Sequence, residues 1–115
     1  MITGLDLNET TDYILENDKE NPTIWKIGTL SSVLYTRITT RTEEPLEASF
    51  KCLQIGLKGW DNFNIPFESK KETIFGHECE VVPIEIIGKI PMKALTELYN
   101  QILVVNNLKE DERKN

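Results

Sequence analysis

TEEPLEASFKCLQIGLKGWDNFNIPF, residues 42–67, decides the fold, because it holds the clearest amphipathic period and the densest aromatic cluster in the chain. Leu46, Phe50, Leu53, Leu57 and Trp60 fall at i, i+4, i+7, i+11 and i+14, the stripe with which an α-helix buries one face. Strict alternation would take Leu46, Ala48, Phe50 and Cys52, but it must change face at Leu53, where the helical period continues. A helix is therefore expected over about 44–57. Thr42 caps its start, Glu43 and Glu44 meet the positive end of the helix dipole, Pro45 suits the first turn, and Gly56 and Gly59 end it. Trp60, Phe63 and Phe67 follow, interleaved with the turn formers Asp61, Asn62, Asn64 and Pro66, which predicts a tight, aromatic-anchored loop or short strand.

Upstream, Asp12–Leu15 (DYIL) and Thr23–Leu30 (TIWKIGTL) carry strand-favouring residues, and the NDKENP between them is dense in turn formers. A hairpin is expected, with Trp25 and Ile27 on one face and Ile24 and Leu30 on the other. Residues 1–10, with Ile2, Leu5 and Leu7, read as an arm that docks on the core or on a neighbour. Ser31–Thr42 reads two ways. Leu30, Val33, Leu34 and Ile38 have helical spacing and Ser31 or Ser32 can cap, whereas Tyr35, Thr36, Ile38, Thr39 and Thr40 favour extended chain. A short helix followed by an extended segment is the expectation.

Downstream, Lys70–Phe75 and Glu78–Val82 flank Gly76-His77 as a second hairpin. Pro83 and Pro91 each open a helix: one turn over Pro83–Ile87, stopped by Gly88, and a longer one over Pro91–Asn107. The long helix places Met92, Leu95, Leu98, Tyr99, Ile102 and Leu103 on one stripe, and Val104 and Val105 widen it near the end. The fold class expected is α+β, a small antiparallel sheet packed with two main helices (about 44–57 and 91–107). Its core is assigned to Leu46, Phe50, Leu53, Leu98, Ile102 and the indoles. One domain over 1–108 and a charged tail over 109–115 complete the organisation.

A chain of 115 residues suits one modest core. No apolar run approaches the ~20 residues that cross a bilayer, and Met1-Ile2-Thr3-Gly4 lacks the pattern of a signal segment, so a cytosolic protein is expected. Cys52 and Cys79 are too few for a disulfide framework and are expected as free thiols. Nineteen acidic against 13 basic residues give a formal charge of −6, with the basic ones scattered. That disfavours nucleic acid and anionic membranes, which need concentrated Lys and Arg.

The chemistry-bearing residues form no recognisable machinery. His77 is the one histidine, and no Gly-x-Ser-x-Gly elbow surrounds a serine. His77, Cys79, Cys52 and a carboxylate such as Glu78 or Glu80 do not follow a zinc spacing, and the glycines make no phosphate loop. No catalytic residue, cofactor or metal is expected. The rings of Trp60, Phe63 and Phe67 serve either as a core plug or as anchors in a protein interface. The C-terminal helix poses the same choice, which makes Tyr99, Leu103 and Val104 the other partner-binding candidates.

The ordered series ENPTIWKIGTL, the helix running into GLKGWDNFNIPF, then FGHECEVVP, IPMKALTELYNQILVVNNL and EDERKN resembles small proteins from the structural-gene clusters of tailed bacteriophages. Within that group, Gly59, Trp60, Asn62, Phe63, Pro66 and Phe67 are similar to a Gly-Trp-x-Asn-Phe…Pro-Phe portion of phage tail assembly chaperones. The resemblance implies a non-enzymatic protein without cofactor that binds the tape measure or tail tube protein, or itself as a homo-oligomer, in the host cytoplasm. It also implies a second, frameshifted length, and Arg113-Lys114-Asn115 can be encoded with the slippery heptamer A AAA AAC. Two alternatives stand beside it: a virion structural protein (head decoration or head-tail connector component), and an acidic inhibitor of a host nucleic-acid enzyme or defence system.

Overall fold

The computed structural model of the protein describes residues 1–106. The 109–115 tail, the frameshift codons and the last residue of the expected 91–107 helix lie outside them. The fold is α+β, as expected, with nine elements and two antiparallel sheets among the described residues. Strands β1 (Thr10–Tyr13), β2 (Ile24–Gly28) and β3 (Leu57–Asp61) form one sheet in that order. β4 (Lys70–Ile74) and β5 (His77–Val81) form a separate hairpin. Helices α1 (Ser32–Arg41) and α2 (Pro45–Gly56) precede β3, whereas the one-turn α3 (Ile84–Ile87) and the long α4 (Met92–Val105) follow β5.

The N-terminal hairpin forms with Tyr13 opposite Trp25 and Thr10 opposite Gly28. Its first strand begins two residues earlier than the apolar run DYIL predicts. Trp25 and Ile27 share the buried face, as their alternation requires. The sheet gains its third strand from the aromatic segment, which pairs Trp25 with Trp60 and slips by one residue between Lys26 and Ile27.

Ser31–Thr42 departs from the expectation, since a single helix runs to Arg41 with no extended part. Ser31 caps it, its hydroxyl accepting from Leu34 N at 3.3 Å. The threonines that argued for a strand satisfy their hydroxyls inside the helix. Thr36 donates to Ser32 O at 2.8 Å, Thr39 to Tyr35 O at 3.1 Å and Thr40 to Thr36 O at 2.8 Å. Leu34 and Ile38, one turn apart, supply the buried anchor that overrides propensity.

α2 is shorter than the stripe that predicted it. It opens with Pro45 in the first turn, as expected, but Glu44 stands at the cap position, and Thr42 instead ends α1. Gly56 is the last helical residue. Leu57, Gly59 and Trp60 therefore belong to β3, and Gly59 does not terminate a helix. The buried residues are Ala48, Cys52, Leu53, Ile55 and Gly56, whereas Leu46, assigned above to the core, is 68% exposed and Phe50 is half-buried.

The second hairpin turns at Phe75-Gly76, one residue before the expected Gly76-His77. Both turn residues have positive φ (49° and 84°), the pair of left-handed conformations that matches the twist of a two-residue hairpin. A phenylalanine is tolerated there because α1 grips the turn. Arg37 Nη1 donates to Phe75 O at 3.2 Å and lies 2.8 Å from His77 Nε2, while the Arg41 guanidinium stands 5.9 Å from the centre of the Phe75 ring. α3 and α4 start after Pro83 and Pro91, and Gly88 closes α3, as the sequence predicts.

Two bridges lock the layers. Gln54 on α2 exchanges bonds with Val82 just after β5: Gln54 Nε2 donates to Val82 O at 2.9 Å, and Val82 N donates to Gln54 O at 2.8 Å. Asn106 at the end of α4 donates from Nδ2 to Gly28 O at 3.2 Å and accepts from Leu30 N at 2.8 Å. Between these points α2 approaches α4 closely. A Cβ on Gly56 would stand 2.8 Å from Ile102 Cδ1 and 3.1 Å from Cγ1, and Ile102 is fully buried. Gly56→Ala should therefore lower the unfolding free energy by roughly 1–2 kcal/mol in urea titrations, overpacking outweighing the helix propensity gained. Adding Ile102→Val should return part of that loss. An alanine variant as stable as the parent would contradict the contact.

Candidate functional site

Trp60, Phe63 and Phe67 are brought together, with Trp25 as the fourth ring. Trp60 meets Trp25 edge-on at 5.5 Å between centroids, Phe63 at 5.6 Å and Phe67 at 4.9 Å, and Phe63 also packs on Trp25 at 5.1 Å. The two indoles face each other because their strands put Trp25 opposite Trp60. Trp60 is 8% exposed, and its Nε1–H donates to Ile65 O at 2.7 Å, which folds the 61–67 loop back over the ring. The loop is fastened at its other end by Asn62, left-handed at φ 62°, whose Nδ2 donates to Asn21 O at 2.7 Å and to Pro22 O at 3.1 Å. Thr23 Oγ1 returns a bond to Asn62 O at 2.8 Å. The cluster plugs one end of the core, with Phe63 and Phe67 half-buried at its outer side.

The α4 candidates lie apart from those rings. Tyr99 is half-buried among α1, α2 and α4, near Tyr35 and Cys52, and burial pushes its phenol up. Burial also raises the Cys52 thiol to about 11, so this cysteine is an inert core residue. Leu103 and Val104 are half-buried on the last turns of α4.

Tyr99 also borders a feature that the helical stripes alone do not reveal. Between α2 and α4 runs an apolar groove in two continuous parts that share Phe50, Met92 and Leu95. One part, about 290 Å³, is bordered by Leu46, Ser49 and Tyr99. The other, about 480 Å³, continues past Glu47 to Ile84 and Ile87 of α3. Leu46, Met92 and Ile84, at the first turns of α2, α4 and α3, are exposed at 68%, 60% and 46%. Such an open apolar trough is in the size range typical of ligand and partner sites. Its sequence signal was present. The apolar stripes of both long helices begin at their first turns, beyond the point where the helices cover one another.

A second cavity, about 270 Å³, lies by the N-terminal arm, where Leu7 and Asn8 meet Leu57, Lys58, Phe67 and Val81. Burial lowers the Lys58 ammonium, and its aliphatic chain occupies the space a side chain on Gly28 would take, with Cγ 2.5 Å from that Cβ position. Among the described residues, no group of three or more His, Cys, Asp or Glu side chains could hold a metal ion, and no helix is long and apolar enough to cross a membrane. A comparison with protein-family models, with curated proteins and with solved structures found no match to the chain.

β1 and α4 meet at one polar point. Tyr13 Oη donates to Glu97 Oε2, which also accepts from Glu16 N at 2.8 Å. Burial, the bond to Glu97 and the carboxylate charges of Glu97 and Glu16 push the Tyr13 phenol up to about 12. An unfolded tyrosine releases its proton near pH 10. The stabilisation from Tyr13 is thus complete below about pH 10 and is lost as pH rises towards 12, because the unfolded chain ionises first. The stability gap between the parent and Tyr13→Phe, read from urea midpoints, should close across that window. A gap that stays constant would contradict the bond. Trp60→Ala should remove about 3–5 kcal/mol of stability in the same assay. A variant with parental stability would mean that the indole contributes outside the core.

Proposed function

We propose that this is a non-enzymatic morphogenesis protein of a tailed phage, a tail assembly chaperone that holds a segment of the tape measure or tail tube protein in the host cytoplasm. The observation that carries the reading is the groove between α2 and α3–α4, where Leu46, Ile84 and Met92 stand exposed beside Phe50 and Leu95. A protein that shields an aggregation-prone segment needs an apolar surface that its own fold leaves open. The Gly59-to-Phe67 resemblance adds to it, although those rings serve mainly as the plug that keeps the sheet and the 61–67 loop rigid.

One observation favours a second reading, a virion structural protein. Met1, Ile2, Leu5 and Leu7 of the arm are all exposed, as suits a segment exchanged between neighbouring subunits of a particle. Affinity purification of the tagged chain from infected cells, with proteomics of purified particles in parallel, separates the two. The chaperone reading predicts the tape measure or tail tube protein in the lysate eluate and none of this chain in finished particles. Fixed copies of the chain per particle would overturn it in favour of the virion role.

A further inference from the structure

The groove has charged walls of unequal sign. On the α2 side Glu47 lines it, and Glu43 and Glu44 immediately precede Pro45, which also lines it; all three are exposed. On the opposite side Glu85 follows Ile84 and Lys89 lies between Gly88 and Ile90, both again exposed, whereas Lys93 lies on the other side of α4, by Leu15 and Asn17. Among the described residues none of these five rim side chains takes part in an ion pair. Four carboxylates against one ammonium group leave the rim net negative, with three of the carboxylates gathered along one wall. The floor is apolar and includes Met92, whose flexible thioether adapts to varied partners.

From this charge and shape we infer that the groove takes a cationic amphipathic helix from a partner protein. The partner's apolar residues at i, i+3/i+4 and i+7 spacing would seat on Phe50, Ile84, Met92 and Leu95, and its Lys and Arg flank would face Glu43, Glu44 and Glu47. The inference rests on the chaperone reading and narrows its partner to a segment of defined chemistry. The apolar contacts supply the affinity, while the acidic wall sets orientation, on-rate and salt dependence. Lys89 on the far wall disfavours a helix that is basic all round, so the partner's positive charge belongs on one flank.

The test is fluorescence anisotropy with three labelled 18-residue peptides of equal hydrophobicity: an amphipathic helix with lysines on one flank, its glutamate counterpart, and a scrambled lysine version. The lysine helix should bind at least tenfold more tightly than either of the others. Leu46→Asp or Met92→Asp, at exposed positions that leave the core intact, should weaken it at least tenfold. Glu43→Lys/Glu44→Lys/Glu47→Lys should weaken it more than Glu9→Lys/Glu20→Lys/Glu78→Lys, which carries the same charge change at exposed sites outside the groove. Equal weakening by the two triple variants would reduce the effect to bulk charge and overturn the proposal. Preference for the glutamate peptide would overturn the charge assignment and leave a chaperone groove standing. Binding of no peptide, with dimers in sedimentation that vanish when residues 1–8 are deleted, would overturn it in favour of a second copy's arm as occupant.

Discussion

The chain passes from α2 into β3 with no residue between them: Gly56 ends the helix and Leu57 begins the strand. That junction constrains everything around it. The register of β3 on β2 is set by Trp60 opposite Trp25, so the helix that feeds β3 has its axis and rotation fixed by the sheet. At its C-terminal end α2 must also pass Ile102 of α4 at a distance only a glycine allows. The face turned inward carries Ala48, Cys52, Leu53, Ile55 and Gly56, three of them small, which permits the close approach. The cost of this arrangement appears at the other end. Leu46 and Phe50 swing to the border of the buried arc, where no other described element covers them fully.

Much of the architecture was legible because local signals agreed with the fold. Both hairpins, the starts of α3 and α4 after prolines and the halt of α3 at Gly88 follow from turn and capping chemistry within a few residues of each boundary. The errors have particular causes. Ser31–Thr42 forms the expected Ser31-capped helix but not the extended segment after it, because in α1 the threonine hydroxyls bond one turn back while Leu34 and Ile38 anchor the helix. The α2 stripe was misread because small residues at a close contact carry little hydrophobic signal. Ala48, Cys52 and Gly56 are outweighed by Leu46 and Phe50 on the neighbouring arc. That the period continued through Leu57 and Trp60 was coincidental, since strand alternation takes over at Leu57.

The same misreading hid the groove. Trp60, Phe63 and Phe67 drew attention as large rings among polar residues, yet three ring contacts and the Trp60–Ile65 hydrogen bond commit Trp60 to structure. The open apolar surface lies instead where a leucine, an isoleucine and a methionine occupy the first turns of α2, α3 and α4, positions at which the dipole and the chain entry favour polar residues. Leu46, Ile84 and Met92 are thus unexplained by helix capping and uncovered by packing. The proposed interaction role would account for all three at once, with the exposed carboxylates beside them giving the surface a sign. The His77–Arg37 contact and Cys52 fall to structural roles, one bracing a turn and the other filling the core.

The most direct test of the groove as the working surface is a nitrogen–proton correlation titration of the isotopically labelled chain with the lysine-flanked helix. Amide shift changes are expected to concentrate at Leu46, Glu47, Phe50, Ile84, Met92 and Leu95, with Trp25, Trp60 and Phe63 unmoved. Changes centred on the 60–67 aromatic segment, or spread over the acidic surface without focus, would contradict it.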